Sequence, residues 1–178
     1  MKKIAILLGF SLLAACSSKD DSASISADKI ITRNDFEALA GWNTDMNLLD
    51  EGRAHSGKYA IKVNKDHEFS LTFDMMLGKA TSSKIKTVRL EGWAYLPSDR
   101  ATGVLGVQII GPDGNAQLFG DGIRLGEVVK SYGKWVKVSK DIVLPDTITA
   151  LDHIRLSLWR ADASDEVLID DVTLSIVK

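Results

Sequence analysis

Internal disulfides are excluded at once, because Cys16 is the only cysteine in the 178-residue chain and a lone thiol has no partner within it. Stability must come from an apolar core unless a metal adds to it. Histidine is sparse too: His55, His67 and His153 stand singly, with no His-x-His or His-Glu-x-x-His spacing to seat a transition metal. There is no Gly-x-Ser-x-Gly nucleophile elbow and no other set of groups with reactive character, so the chain does not read as an enzyme. Basic side chains are not in excess, with 22 Lys and Arg against 24 Asp and Glu, which speaks against a nucleic-acid partner. No internal repeat recurs at a fixed period. The apolar run from Ile4 to Leu13 is too short to cross a bilayer as a permanent helix.

That run reads instead as a signal. Met1-Lys2-Lys3 supplies a basic start, and the run ends in Leu13-Ala14-Ala15-Cys16, which resembles a bacterial lipobox. On this reading residues 1 to 15 are a lipoprotein signal peptide. Cys16 then becomes the lipidated first residue, carrying a diacylglyceryl group and fatty acyl chains such as palmitate. A Sec signal whose cysteine merely follows the cleavage site is the alternative. Ser17 to Ser24 is small and polar with no apolar period, so residues 16 to 29 read as a tether and residues 30 to 178 as one domain. Lys19-Asp20-Asp21 resembles the acidic signal that sends Bacteroidota lipoproteins to the outer face of the outer membrane. It reads equally as a solvated linker. The expected location is the cell envelope, held at the outer membrane by lipid.

Beyond Ile30, short alternating apolar runs recur between Gly, Asp, Asn and Pro punctuation. They predict strands at Tyr59–Val63, Phe69–Phe73, Val88–Leu96, Val104–Ile110, Ala116–Leu125, Trp135–Leu144, His153–Trp159 and Val167–Val177, with no sustained helical period between them. Gly111-Pro112-Asp113-Gly114-Asn115 should close a hairpin, and His55-Ser56-Gly57-Lys58 should turn the chain into the strand at Tyr59. Such spacing means an all-β antiparallel sandwich or barrel.

Four segments in order resemble the carbohydrate-binding modules of the family four/nine type, which are jelly-roll sandwiches of the galactose-binding-domain-like group. They are Asn34-Asp35-Phe36-Glu37 with Gly41-Trp42, then His55 to Val63, then Gly133 to Val138, then Leu168 to Leu174. The resemblance implies an antiparallel jelly-roll β-sandwich for the domain. Trp42 and Trp135 fall at motif positions that look structural and are expected in the core.

Alternation from Leu168 places Asp170 on the face of Val172, Leu174 and Ile176, so a carboxylate is aimed at the apolar layer and needs a partner. In the family, the equivalent Asp and the Glu of the Asn-x-Phe-Glu segment coordinate a structural calcium together with backbone carbonyls. The resemblance thus implies Glu37 and Asp170 as side-chain ligands, with carbonyls around Ser56 and Lys58 completing an all-oxygen shell that suits calcium. The alternative is that Asp170 caps turn amides without a metal.

Sugar rings stack their C–H faces on aromatic side chains, and planar polar groups hydrogen-bond their hydroxyls. Strands whose non-core face carries both are therefore candidate platforms. In Val88 to Tyr95 the apolar face is Val88, Leu90, Gly92, Ala94, and the other is Arg89, Glu91, Trp93, Tyr95. In Ile154 to Trp159 the apolar face is Ile154, Leu156, Leu158, which leaves Arg155, Ser157 and Trp159 opposite. Gln108 turns the same way from the strand of Leu105, Val107 and Ile109. The expectation is one groove lined by these three strands, with Trp93, Tyr95 and Trp159 as platforms and Arg89, Glu91, Gln108 and Arg155 as polar contacts. Trp93 belongs to the core instead if the strand's inner face is the opposite one.

The leading reading is a non-catalytic lipoprotein that holds a glycan ligand at the envelope, attached to the membrane through its lipid. A structural or adhesion module contacting an envelope protein partner is the competitor. A hydrolase or lyase comes last: the Glu-x-Asp-x-x-Glu strand pattern of one glucanase family is missing, as are the motifs of jelly-roll lyases.

Overall fold

A computed structural model describes residues 29–177 apart from 40, 43 and 44. The signal peptide, the lipidation position Cys16, Lys19-Asp20-Asp21 and the tether up to residue 28 lie outside the described residues.

The described chain folds into strands β1 (Ile30–Asn34), β2 (Leu49–Glu51), β3 (Tyr59–Val63), β4 (Phe69–Met76), β5 (Thr87–Tyr95), β6 (Val104–Ile110), β7 (Gln117–Arg124), β8 (Trp135–Val143), β9 (His153–Trp159) and β10 (Val167–Ile176). Single helical turns, α1 (Leu77–Ala80) and α2 (Leu125–Val128), follow β4 and β7. Every expected strand is present. The two additions, β1 and β2, are short and lack clean alternation; each is held by a longer neighbour, β10 and β3 respectively. The expected hairpin joins β6 to β7, with Gly111 N–H donating to Ala116 O at 2.7 Å.

The strands form two antiparallel sheets. The larger has the order β2-β3-β10-β5-β8, with β1 pairing the second half of β10; the smaller has the order β4-β9-β6-β7. The fold is an antiparallel jelly-roll β-sandwich. Ile61, Leu90, Ile142 and Leu174 of the larger sheet meet Leu71, Leu105, Leu156 and Leu158 of the smaller, all essentially inaccessible to water. Each such side chain contributes about 1.5–3 kcal/mol by leaving water, which is how the domain stands without disulfides. Trp42 is in the core as expected, edge-on to Phe36 with ring centroids 5.4 Å apart and tilted against Phe73 at 6.0 Å.

The strict period of two fails at Asp170. A bulge between Asp170 and Thr173, with Asp171 at φ 48°, inserts an extra residue into β10. Asp170 therefore shares the outer face with its partner Trp93, whereas Leu174 and Ile176 pair with Leu90 and Val88 on the inner face. The carboxylate is buried as expected, but beneath the turn at His55 and Ser56, not against the apolar layer.

Candidate functional site

The outer face of the smaller sheet is read directly from its register, since side chains of paired residues point the same way. Crossing from β4 through β9 and β6 to β7, one row is Phe69, Trp159, Val104, Arg124. The next is Thr72, Ser157, Gly106, Gly122, and the third is Asp74, Arg155, Gln108, Gly120. Small residues in the middle and at the β7 side leave a depression flanked by aromatics at one end and polar groups at the other. It forms an open groove of about 780 Å³ that extends over β7 to Ser139 and Lys140 of β8. That size is within the range of ligand-binding clefts.

Gly122 is what lets β7 lie there: a Cβ on it would stand 2.4 Å from the Leu105 carbonyl oxygen. Phe69 and Trp159 face each other as cross-strand partners, with rings 6.2 Å apart and 13° from parallel. They remain 54% and 38% exposed, although burying such rings is the ordinary outcome. Trp159 Nε1 donates to Glu68 Oε1 at 3.1 Å, which fixes the indole. At the polar end Arg155 and His153 both engage Asp74. Burial pushes the Asp74 carboxyl up, but these two partners outweigh it and hold the group below the usual carboxylate range. Gln108 Nε2 donates to Gln117 Oε1 at 2.7 Å. On the β7 edge Lys140 Nζ donates to Asp121 Oδ1 at 2.6 Å, so that, against burial, this carboxyl too is held low.

Of the seven side chains expected to line one groove, Trp159 and Gln108 line it, and Arg155 stands on the same sheet face beside Gln108, engaged with Asp74. Arg89, Glu91, Trp93 and Tyr95 alternate outward as expected, but β5 belongs to the other sheet, so these four occupy the opposite outer face of the sandwich. There Arg89 is spent on Asp141, at 2.6 and 2.8 Å, and Glu91 lies 3.8 Å from Lys137 Nζ. The His55 ring stacks on Trp93 at 3.8 Å and 14°. Tyr95 tilts against Trp135 at 5.7 Å. Trp135 is thus half-buried on this outer face, not in the core as expected.

Sequence reading missed Phe69, Asp74 and the glycine strip. In Phe69-Ser70-Leu71-Thr72-Phe73 the aromatic alternates with core residues, and only a bulge between Phe69 and Thr72 turns it outward. Gly120-Asp121-Gly122 was a readable signal of a strand stripped of side chains for a close approach.

The residues assigned to calcium converge on one turn but do not form an oxygen cage. Asp170 Oδ2 accepts the amides of His55 and Ser56 at 2.8 and 3.0 Å, and its Oδ1 accepts the Asp171 amide at 2.7 Å. Glu37 Oε1 accepts the Lys58 and Tyr59 amides at 2.6 and 2.8 Å. The Lys58 carbonyl is taken by the Gly52 amide at 3.1 Å. Gly57, at φ 60°, is required: a Cβ would lie 2.4 Å from Glu37 Oε1. Both carboxylates accept N–H groups of the turn. Among the described residues no three His, Cys, Asp or Glu side chains group around a metal position. Asp170 caps turn amides, the contacts its alternative reading names. Burial, helped by neighbouring Asp171, raises its carboxyl to about 6 despite the three amides.

No protein-family model and no curated protein matches the sequence. Solved structures do. The CBM22-1 xylan-binding domain of Xyn10C from Paenibacillus barcinonensis superposes with a TM-score of 0.55 at 19% identity, over 84% of this chain and 95% of that one. The C-terminal family 22 carbohydrate-binding module of Xyn10B from Clostridium thermocellum gives 0.55 at 14% identity, over 84% and 94%. In the Paenibacillus tandem of two family 22 modules the match has a TM-score of 0.56 at 15% identity, and covers 84% of this chain but half of that one. At these identities the likeness is one of fold, and this chain has the β-sandwich fold of those carbohydrate-binding modules.

Proposed function

We propose that the chain is a non-catalytic glycan-binding module whose ligand occupies the groove on the four-stranded sheet. The observation that carries this reading is the pairing of exposed, near-parallel Phe69 and Trp159 with a side-chain-free floor at Gly106 and Gly122. The aromatics offer a ring-sized apolar surface, and Gln108 and Gln117 supply amides for hydroxyls. Of the acids on this face, Asp121 in the groove and Asp74 at its polar end are ion-paired and held low. Neither is placed to carry a proton at neutral pH.

Attachment through lipid at Cys16, and hence location at the outer membrane of the envelope, completes the proposal. It rests on the Leu13-Ala14-Ala15-Cys16 motif. The four sequence segments support the finer four/nine-type assignment, whereas the solved neighbours above are of family 22. Affinity electrophoresis over a panel of polysaccharides tests the ligand, with xylan included because neighbours of this fold bind it. Retardation by at least one polysaccharide is expected, and Trp159→Ala should weaken it at least about 30-fold, the scale of a buried aromatic hot spot. Retardation by none, or equal retardation of wild type and Trp159→Ala, would reject the groove. Intact mass of the membrane-extracted protein tests the lipid at Cys16.

A further inference from the structure

The two ends of the sandwich differ in charge and in what enters them. One end is built from segments 77–86 and 144–152, tied by Leu77 N–H to Asp152 O at 2.8 Å and Leu144 N–H to Lys86 O at 2.9 Å. The described chain enters the fold at this same end, because Ile30 pairs with Ser175, beside the Ile176–Val88 and Thr87–Val143 pairs. Exposed Lys29, Lys79, Lys84 and Lys86 gather here, and none of them pairs with a carboxylate side chain among the described residues. Two apolar side chains stand out from the same end, Val143 at 72% and Leu151 at 60% exposure. The lysine-rich end also holds two carboxylates, exposed Asp146 and buried Asp152, whereas the connections of the opposite end carry Asp66, Glu68, Asp99, Asp162, Asp165 and Glu166 beside Lys65, Arg100 and Arg160.

We propose that this lysine-rich end lies on the anionic lipid headgroups of the bilayer in which Cys16 is anchored. The proposal rests on the lipid-anchor reading above. The 13 residues from Ser17 to Lys29 can span at most about 45 Å, so the end that receives them is held within reach of the headgroups. Lysines without a carboxylate partner are attracted by an anionic surface within a Debye length, with Lys84 exchanging its contact to the Asp146 carbonyl for a headgroup, and Val143 and Leu151 can sink their methyl groups into the headgroup layer. The docking fixes the groove's direction. Its polar row, near His153, is then proximal to the membrane, and Trp159, six residues along β9, lies about 20 Å farther out. The aromatic platform therefore meets polysaccharide arriving from outside the bilayer surface.

Hydrogen exchange on the full lipidated chain in phosphatidylcholine vesicles, with and without phosphatidylglycerol, tests this. Amides of 81–86 and 146–151 should slow several-fold only when phosphatidylglycerol is present. The combined variant Lys79→Glu, Lys84→Glu, Lys86→Glu should lose that difference while its core strands exchange as in wild type. Equal exchange in both vesicles, or slowing at 160–166 instead, overturns the proposal. A chain that does not stay on vesicles and shows no lipid mass on Cys16 overturns the anchor reading first, and the docking with it.

Discussion

The two outer faces of this sandwich carry similar residue types and use them in opposite ways. On the larger sheet, Trp93 and Trp135 are roofed by the turn at His55 and Ser56, which Asp170, Asp171 and Glu37 pull down onto the strands, and Tyr95 packs against Trp135. On the smaller sheet, Phe69 and Trp159 have no such roof and the strands beside them carry glycine. An aromatic on the outer face of a strand is therefore a platform only where no loop has the polar anchors to close over it. Asp170 is the main anchor here, since three amides depend on it.

Removing that anchor should have the largest effect. Asp170→Ala leaves three part-buried amides without their acceptor, at about 1 kcal/mol or more each, so denaturant unfolding should show a loss of about 3 kcal/mol. Trp93→Ala should cost about 2 kcal/mol through lost packing. Both variants, where folded, should retain wild-type glycan affinity; a binding loss with Trp93→Ala would mean that the two faces are not separate in function. Next comes the floor of the groove. A Cβ on Gly106 meets nothing closer than the Ser157 carbonyl at 3.8 Å, so Gly106→Leu should fold normally yet bind about tenfold more weakly, equivalent to about 1.4 kcal/mol. Calorimetric titration against unchanged melting reads this out.

Smaller is the pH response of the roof. The folded Asp170 carboxyl, raised to about 6 from an ordinary 3.8, holds more protons than the unfolded chain does between those values. The stability it contributes therefore falls as pH rises through that window and is flat above it. Asp74 and Asp121, held low, have the opposite sign, with stability lost as pH falls below the ordinary carboxylate value. Melting curves of wild type and Asp170→Asn should thus differ by a margin that changes between pH 4 and 6.5, and a constant margin would contradict the raised carboxyl. The smallest effect is expected from chelation. With Glu37 and Asp170 already matched by amides, excess chelator should leave the melting temperature unchanged, whereas a clear fall, absent in Asp170→Ala, would restore calcium to this turn.

Much of this was legible in the sequence. Every long strand was readable, because side-chain alternation is a property of the backbone itself and shows wherever one face is buried. The division of β5, β6 and β9 into core and outer faces was correct residue by residue for the same reason. Of the candidate groove, the outward placement of Trp159 and Gln108 was legible in the sequence, whereas that of Phe69 was not.

The sequence alone determined an all-β antiparallel sandwich or barrel, which its family resemblance narrowed to a jelly roll, the outward direction of Arg89, Glu91, Trp93 and Tyr95 and of Arg155, Ser157 and Trp159, and the need of Asp170 for a partner. Tertiary structure alone decided which sheet each strand joins, and so separated Trp93 from Trp159. Strand pairing is nonlocal, and nothing in the local pattern of β5 or β9 names its neighbour. It also decided the bulges at Phe69/Thr72 and Asp170/Thr173, where one extra residue reverses the faces that a period of two assigns. Only in the folded chain does His55 cover one tryptophan and leave the other to the groove.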